Sequence, residues 1–321
     1  MKKTAFIVWA RYHRRSELLA EQLGASIHYV YHERGSRPSP VIVRYLMQAR
    51  QTWQILHRER PEVIFVQNPP IFAVLVAYVY GKLHEAQYVI DSHTGAFLSS
   101  RWRWSVGLHR WLSRRSFMTV VHNESQGKLV KEWKCPYCVI AFTPGDYPIG
   151  EPYPLAGKFN VAVVCGFDKD EPLEAIFDAA NELRDVCFYF TGDARRLDPN
   201  LASRKPGNIH LTGYLPYEQY VGLLRTSNAV MDLVNNPHTL LMGAFEAVSL
   251  EVPLILSDWP LLRDYFHQGV VYILNTREGV CSGIGQMQRE QGRLKREIVS
   301  LHEQLESDWK NRFATLQQLL E

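Results

Sequence analysis

Short β-prone apolar runs alternate with stretches of helical periodicity along almost the whole chain. That alternation restricts the fold more than any other feature. Residues 4–10, 26–31, 63–67, 88–91 and 118–122 read as strands, bounded by charged or turn-forming residues. Between them, residues 16–23, 44–60, 71–83 and 104–116 place apolar side chains three or four apart, as an amphipathic helix does. Gly24 stands where a helix C-terminus needs a residue tolerant of positive φ, and Pro69-Pro70 lead into the third helix. Strands joined by helical crossovers predict a parallel sheet.

The pattern breaks once and then restarts. Residues 142–156 carry four prolines and two glycines, the clearest linker in the chain. Beyond it, strands are expected at 159–165, 186–191, 209–212, 229–233, 253–257 and 270–274. Helices are expected at 171–183, 217–225, 239–250 and 261–267. Residues 289–319 follow as a long amphipathic tail. The expectation is an α/β protein of two doubly wound, Rossmann-like domains facing a cleft, residues 1–145 and 146–288, closed by the helix of residues 289–321. Ligands of such sheets bind beyond the carboxyl ends of the strands.

Composition narrows the function classes. With 321 residues and 46% hydrophobic content, the chain can bury its own cores without a disulfide or metal staple. The longest apolar stretch, residues 71–79, is far short of the roughly 18 residues that a membrane span requires. Five cysteines do not make a secreted disulfide framework, and the apolar run after the first lysines ends at Arg11, too early for a signal peptide. A cytoplasmic protein is expected. The net charge of +3 conceals an asymmetry: residues 1–150 hold 20 basic and 10 acidic side chains, residues 151–321 hold 16 and 23. An anionic partner of the first half is worth seeking; a nucleic acid is not implied.

Candidate chemistry sits at strand ends. His238 and Thr239 are expected at the start of a helix after a parallel strand, where free N–H groups and the positive end of the helix dipole suit a phosphate. Glu246 falls two turns on, among Gly243, Ala244 and Ala247. A carboxylate in so closely packing a helix needs a partner, and a pair of sugar hydroxyls is one. In the first half, Arg11, His13, Arg14 and Arg15 cluster where the first strand enters the first helix, an anion site in principle. Asp91-Ser92-His93 ends another strand, a favourable place for a functional histidine. Residues 101–117 combine five arginines and three tryptophans. Trp104, Leu108, Trp111 and Leu112 are expected on one helical face, a composition that suits an anionic membrane surface. Two signals are declined. Cys135-Pro136-Tyr137-Cys138 precedes a β-like run instead of opening a helix, and Asp168-Lys169-Asp170 reads as a loop rather than a metal motif.

The order of segments from residue 159 to 275 resembles the nucleotide-sugar half of GT-B glycosyltransferases. It runs through Thr191-Gly192-Asp193, Thr212-Gly213-Tyr214-Leu215 and Phe245-Glu246-Ala247. The likeness is to the retaining group called family 4. Gln67-Asn68-Pro69-Pro70 with Asp91-Ser92-His93 also resembles polyprenyl-linked mannosyltransferases of that fold. The resemblance implies that Glu246 binds the donor ribose. It implies that Thr239 and Leu240 offer N–H groups to the diphosphate, and that Gly213, Tyr214 and Leu215 meet the base. His238 stands where the family has a glutamate that meets the donor sugar. Lys169, Arg195 and Arg196 are the candidates to hold the diphosphate, and His93 corresponds to a histidine near the reacting sugar or acceptor.

The implied activity is transfer of a sugar from a nucleoside diphosphate sugar to an acceptor hydroxyl, lipid-linked in one version, in glycolipid or polysaccharide assembly. It would need no metal or cofactor. That version adds peripheral association with the inner face of a membrane through residues 101–117. The alternatives are an epimerase of the same fold and a non-catalytic nucleotide-sugar-binding or scaffold protein.

Overall fold

A computed structural model describes residues 2–32, 40–143, 145 and 147–320. Two linker residues, Pro144 and Asp146, lie outside the described set. The chain divides into two compact units, Met1–Pro144 with Asp308–Glu321, and Gly145–Ser307.

The first unit is built on strands β1 (Thr4–Val8), β2 (Ser26–Tyr29), β3 (Val63–Asn68), β4 (Gln87–Ser92), β5 (Met118–Val121) and β6 (Tyr137–Val139). They pair in parallel in the order β2-β1-β3-β4-β5-β6. Helices α1 (Arg14–Gln22), α2 (Val41–Glu59), α3 (Ile71–His84), α4 (Thr94–Leu98), α5 (Val106–Ser113) and α6 (Glu124–Glu132) connect them. β3 is buried along its full length, as a parallel strand covered on both faces must be. Ile64, Val66, Ile71, Val74 and Leu56 form the core between this sheet and helices α2 and α3. Full burial of each such side chain is worth about 1.5–3 kcal/mol.

The second unit carries β7 (Phe159–Val163), β8 (Val186–Thr191), β9 (Ile209–Gly213), β10 (Ala229–Asp232), β11 (Leu254–Ser257) and β12 (Val270–Ile273). Their order is β12-β11-β10-β7-β8-β9, all parallel. This is the doubly wound dinucleotide-domain order, whose direction of winding reverses between β7 and β10. Helices α7 (Leu173–Glu182), α8 (Pro199–Ser203), α9 (Tyr217–Thr226), α10 (Met242–Ser249) and α11 (Pro260–Tyr265) cover it.

The tail is one helix, α12 (Arg277–Leu320), which begins twelve residues before the expected 289. Gly283 and Gly285 interrupt its apolar pattern, yet packing requires the first of them. A Cβ at Gly283 would lie 2.4 Å from Ile273 on β12. In the first unit, Trp309 and Phe313 of this helix stack at 4.7 Å and Arg312 pairs with Glu124.

Further elements differ from the sequence expectation. The short helices α4 and α8, together with β6 and α6, lie outside the elements that the sequence pattern predicts. β6 has three residues, too few for a period, whereas α6 has a capping signal: the Asn123 side chain accepts from Gln126 N at 2.9 Å. The helix expected from 239 starts at Met242. Asn236 holds the preceding residues in a turn, its Oδ1 accepting from His238 N at 3.0 Å and its carbonyl from Thr239 N at 3.3 Å.

Candidate functional site

Each unit gathers ionisable groups at the carboxyl ends of its central strands. In the first unit the centre is Asp91, fully buried near the end of β4. Arg15, itself 2% exposed, donates from Nη1 to Asp91 Oδ1 at 2.8 Å and from Nη2 to the Ile140 carbonyl at 2.5 Å. His93 Nε2 lies 3.0 Å from Asp91 Oδ2, and His122 Nε2 lies 3.5 Å from Oδ1. The His93 ring packs edge-on against His13 at 4.5 Å and His122 at 4.2 Å. Gln67 of β3 reaches to 3.5 Å of His93 Nε2.

The electrostatics follow from burial and from one cation. Burial opposes ionisation of Asp91, but the Arg15 guanidinium, with His93 beside it, holds the carboxyl well below its ordinary value. Burial pushes His13 down to about 3, and burial with the Arg15 charge pushes His122 well down; both rings are neutral at physiological pH. In the tautomer that gives its Nε2–H to Asp91, His93 would present a lone pair on Nδ1, the arrangement of a carboxylate-oriented base. Asp91, His93 and His122 also place three donor atoms within 4.8 Å, close enough to share one metal ion. Arg15 already neutralises the carboxylate, so a divalent ion there would sit beside an uncompensated guanidinium. The cluster is better suited to moving a proton than to holding a metal.

The four basic residues expected together at the start of α1 take different directions. Arg15 points inward to Asp91, and Arg14 pairs with Glu17 at 2.7 Å. His13 caps α1, its Nδ1 accepting from Ser16 N at 3.3 Å, and Arg11 lies 5.4 Å from the Tyr31 ring centre. These residues thus take different partners, and only Arg15 is buried among them. The helix expected at 104–116 is also shorter, a 3-10 turn at Arg103–Ser105 followed by α5. Its supposed single face splits: Leu112 is buried in the core, while Trp104 and Trp111 remain exposed.

In the second unit, Glu246 is half-buried on α10 and accepts from the Tyr220 hydroxyl on α9 at 2.5 Å. Asp232, 6% exposed at the end of β10, takes a backbone hydrogen bond from Ala244. Burial, then the charges of Glu171 and Glu246, push its carboxyl well above the ordinary range. Glu171 accepts from Gly166 N at 2.7 Å and Asp168 N at 3.0 Å, and burial raises it as well. The packing is close: a Cβ at Gly243 would lie 2.6 Å from Asp232 Oδ2. At Gly192 (φ +89°) it would lie 2.3 Å from the Cys165 carbonyl, so the loops after β7 and β8 touch.

The other expected donor residues are distributed around this core. Thr239 and Leu240 precede α10, and His238 is exposed in the turn. Their N–H groups are therefore not the first of a helix; those belong to α10, whose start Asp232 already caps in part. Gly213 has φ +69°, Tyr214 after it is exposed and Leu215 half-buried. Arg195 pairs with Asp193 at 2.7 Å, Arg196 pairs with Asp168, and Lys169 is exposed. Sequence reasoning did not single out Tyr220, Asp232, Glu171 or His122. Asp232 had a signal, a polar residue closing the apolar run Ala229–Asp232; Tyr220 had none.

No family profile matches the chain, and no curated protein matches its sequence. Solved structures do. The chain is similar to Alr3699/HepE of Anabaena in complex with UDP-glucose, at 12% identity and TM-score 0.73, over 99% of this chain and 100% of that one. It is similar to sucrose-phosphate synthase from Thermosynechococcus elongatus, at 11% identity and TM-score 0.73, over 100% and 98%. A Listeria monocytogenes protein assigned as a UDP-N-acetylglucosamine 2-epimerase is similar at 12% identity and TM-score 0.65, over 98% and 97%. At such identities the likeness is one of fold, and it establishes two Rossmann-like α/β units in one chain, the GT-B class.

Proposed function

We propose that this chain transfers a glycosyl group from a nucleoside diphosphate sugar to an acceptor hydroxyl. The observation that carries the reading is the second unit's switch point between β7 and β10. The start of α10 borders it, where Gly243 lies against Val164 and Asp232, in a chain that shares its fold over 99% of its length with a protein solved with UDP-glucose. On this reading Glu246 binds the donor ribose and the segment Gly213–Leu215 meets the base. The N–H groups at the start of α10, with Lys169, Arg195 and Arg196, stabilise the departing diphosphate.

The acceptor is activated in the first unit. Its hydroxyl gives a proton to His93 Nδ1, and Asp91 stabilises the imidazolium that forms, as in other carboxylate–histidine pairs. Arg15 keeps Asp91 ionised for that task. A lipid-linked acceptor would bring the protein to a membrane surface. Trp104 and Trp111 are exposed among arginines, and α2 adds exposed Ile42 and Leu46. No helix among the described residues is long and apolar enough to cross a membrane.

A thermal-shift panel of nucleotide sugars that includes UDP-glucose, followed by calorimetry, tests the donor. Glu246→Ala should weaken binding of the best ligand about tenfold; unchanged affinity rejects the ribose assignment. The likeness to an epimerase structure supports a second reading. Product analysis with donor alone separates the two, since an epimerase converts the sugar without an acceptor. Sedimentation with phosphatidylglycerol and phosphatidylcholine vesicles tests the surface; equal or absent binding rejects it.

A further inference from the structure

We propose that Tyr220 is the positioning residue for Glu246: its hydroxyl sets the direction in which that carboxylate meets the two ribose hydroxyls of a nucleoside diphosphate. This rests on the donor reading of Glu246 given above. The hydroxyl donates to Glu246 Oε2 at 2.5 Å, in the short range of charge-assisted O–H···O⁻ bonds. A carboxylate accepts about four hydrogen bonds, so this contact and a ribose diol are compatible.

The support behind Tyr220 is rigid. Glu151 N donates to the Glu218 carbonyl at 3.1 Å. A Cβ at Gly222 would lie only 1.7 Å from the Glu151 carbonyl, so α9 is held tightly against the linker segment. A tyrosine places its hydroxyl with two torsions, far fewer than a lysine or arginine would need. Burial and the neighbouring Glu246 keep its proton in place, so the hydroxyl remains a donor.

Calorimetry with uridine and guanosine diphosphate, and with the 2′,3′-dideoxy analogue of the tighter binder, tests the proposal on the full chain. The proteins are wild type, Tyr220→Phe and Glu246→Gln, each checked for an unchanged thermal midpoint. Tyr220→Phe should weaken the ribonucleotide about fivefold and leave the dideoxy analogue unchanged; Glu246→Gln should show the same selectivity with a larger loss. A purely structural role for Tyr220 would weaken both ligands alike. That outcome, or no loss at all, overturns the proposal while Glu246→Gln still discriminates. If Glu246→Gln does not discriminate, or neither diphosphate binds, the donor reading falls and the proposal falls with it.

Discussion

Two buried aspartates end two parallel strands in this chain, and their electrostatics are opposite. Asp91 on β4 faces the guanidinium of Arg15 and is held strongly acidic. Asp232 on β10 faces Glu171 and Glu246 and is held well above its ordinary value. Both are almost wholly removed from water, at 0% and 6% exposure, so burial alone does not explain the difference. What decides the charge is the sign of the nearest partner. The first unit keeps a permanent carboxylate, suited to orienting a histidine. The second keeps an acid that gives up its proton reluctantly, next to a helix start where a free carboxylate would compete with a phosphate.

The largest effect should come from removing the cation. Arg15→Ala leaves Asp91 buried and uncompensated, and should cost about 3–5 kcal/mol in urea denaturation. A loss below about 1 kcal/mol would mean that the pair does not hold the first unit's charge in place. Gly243→Ala probes the second cluster by packing, since the added Cβ meets Asp232 Oδ2 and Val164 at 2.6 Å. About 1–3 kcal/mol of destabilisation is expected, against the slight gain that alanine gives in an open helix position.

The pH dependence sharpens the contrast further. The folded state holds Asp91 below its unfolded value, so its contribution is present above about pH 4 and is lost as pH falls through the depressed folded value. Asp232 has the reverse sign. The folded state binds the extra proton, so stability declines as pH rises above about 4 towards the raised folded value. Asp232→Asn should therefore gain stability over wild type as pH rises, by about 1 kcal/mol near neutrality, and show no gain in acid. Thermal midpoints measured from pH 4 to 8 check this; a constant difference would break the comparison. The smallest effect belongs to the exposed face of α2. Leu46→Ser should change stability by no more than about 0.5 kcal/mol while reducing sedimentation with anionic vesicles.

The fold was legible in the sequence to the extent that local pattern dictated it. β3 and β7 are mostly apolar, β-prone runs, with polar residues only at Gln67, Asn68 and Asn160, and emerged as fully buried strands. α3 follows its diproline as expected, beginning at Ile71. The pattern failed where a turn or a close approach overrode it. α10 starts late because Asn236 builds a turn; α12 starts early, capped by Thr276 Oγ1, which accepts from Gly279 N at 3.1 Å, and runs on through Gly283, which packs on β12. The candidate site was less legible. His93 and Glu246 stood out by their places at a strand end and within a glycine- and alanine-rich helix. Arg15 also stood out, but as one of four basic residues beside a helix start, and it became the buried partner of Asp91 instead.

The sequence by itself determined the two alternating α/β halves and the linker between them, because hydrophobic periodicity and turn chemistry act over a few residues. Only the tertiary structure decided which ionisable groups meet. Arg15 and Asp91 are 76 positions apart, and Tyr220 and Glu246 are 26 apart. Whether a carboxyl is charged depends on how much water is excluded around it and which charge lies within a few ångströms. Both are properties of the packed chain, and neither has a period to read.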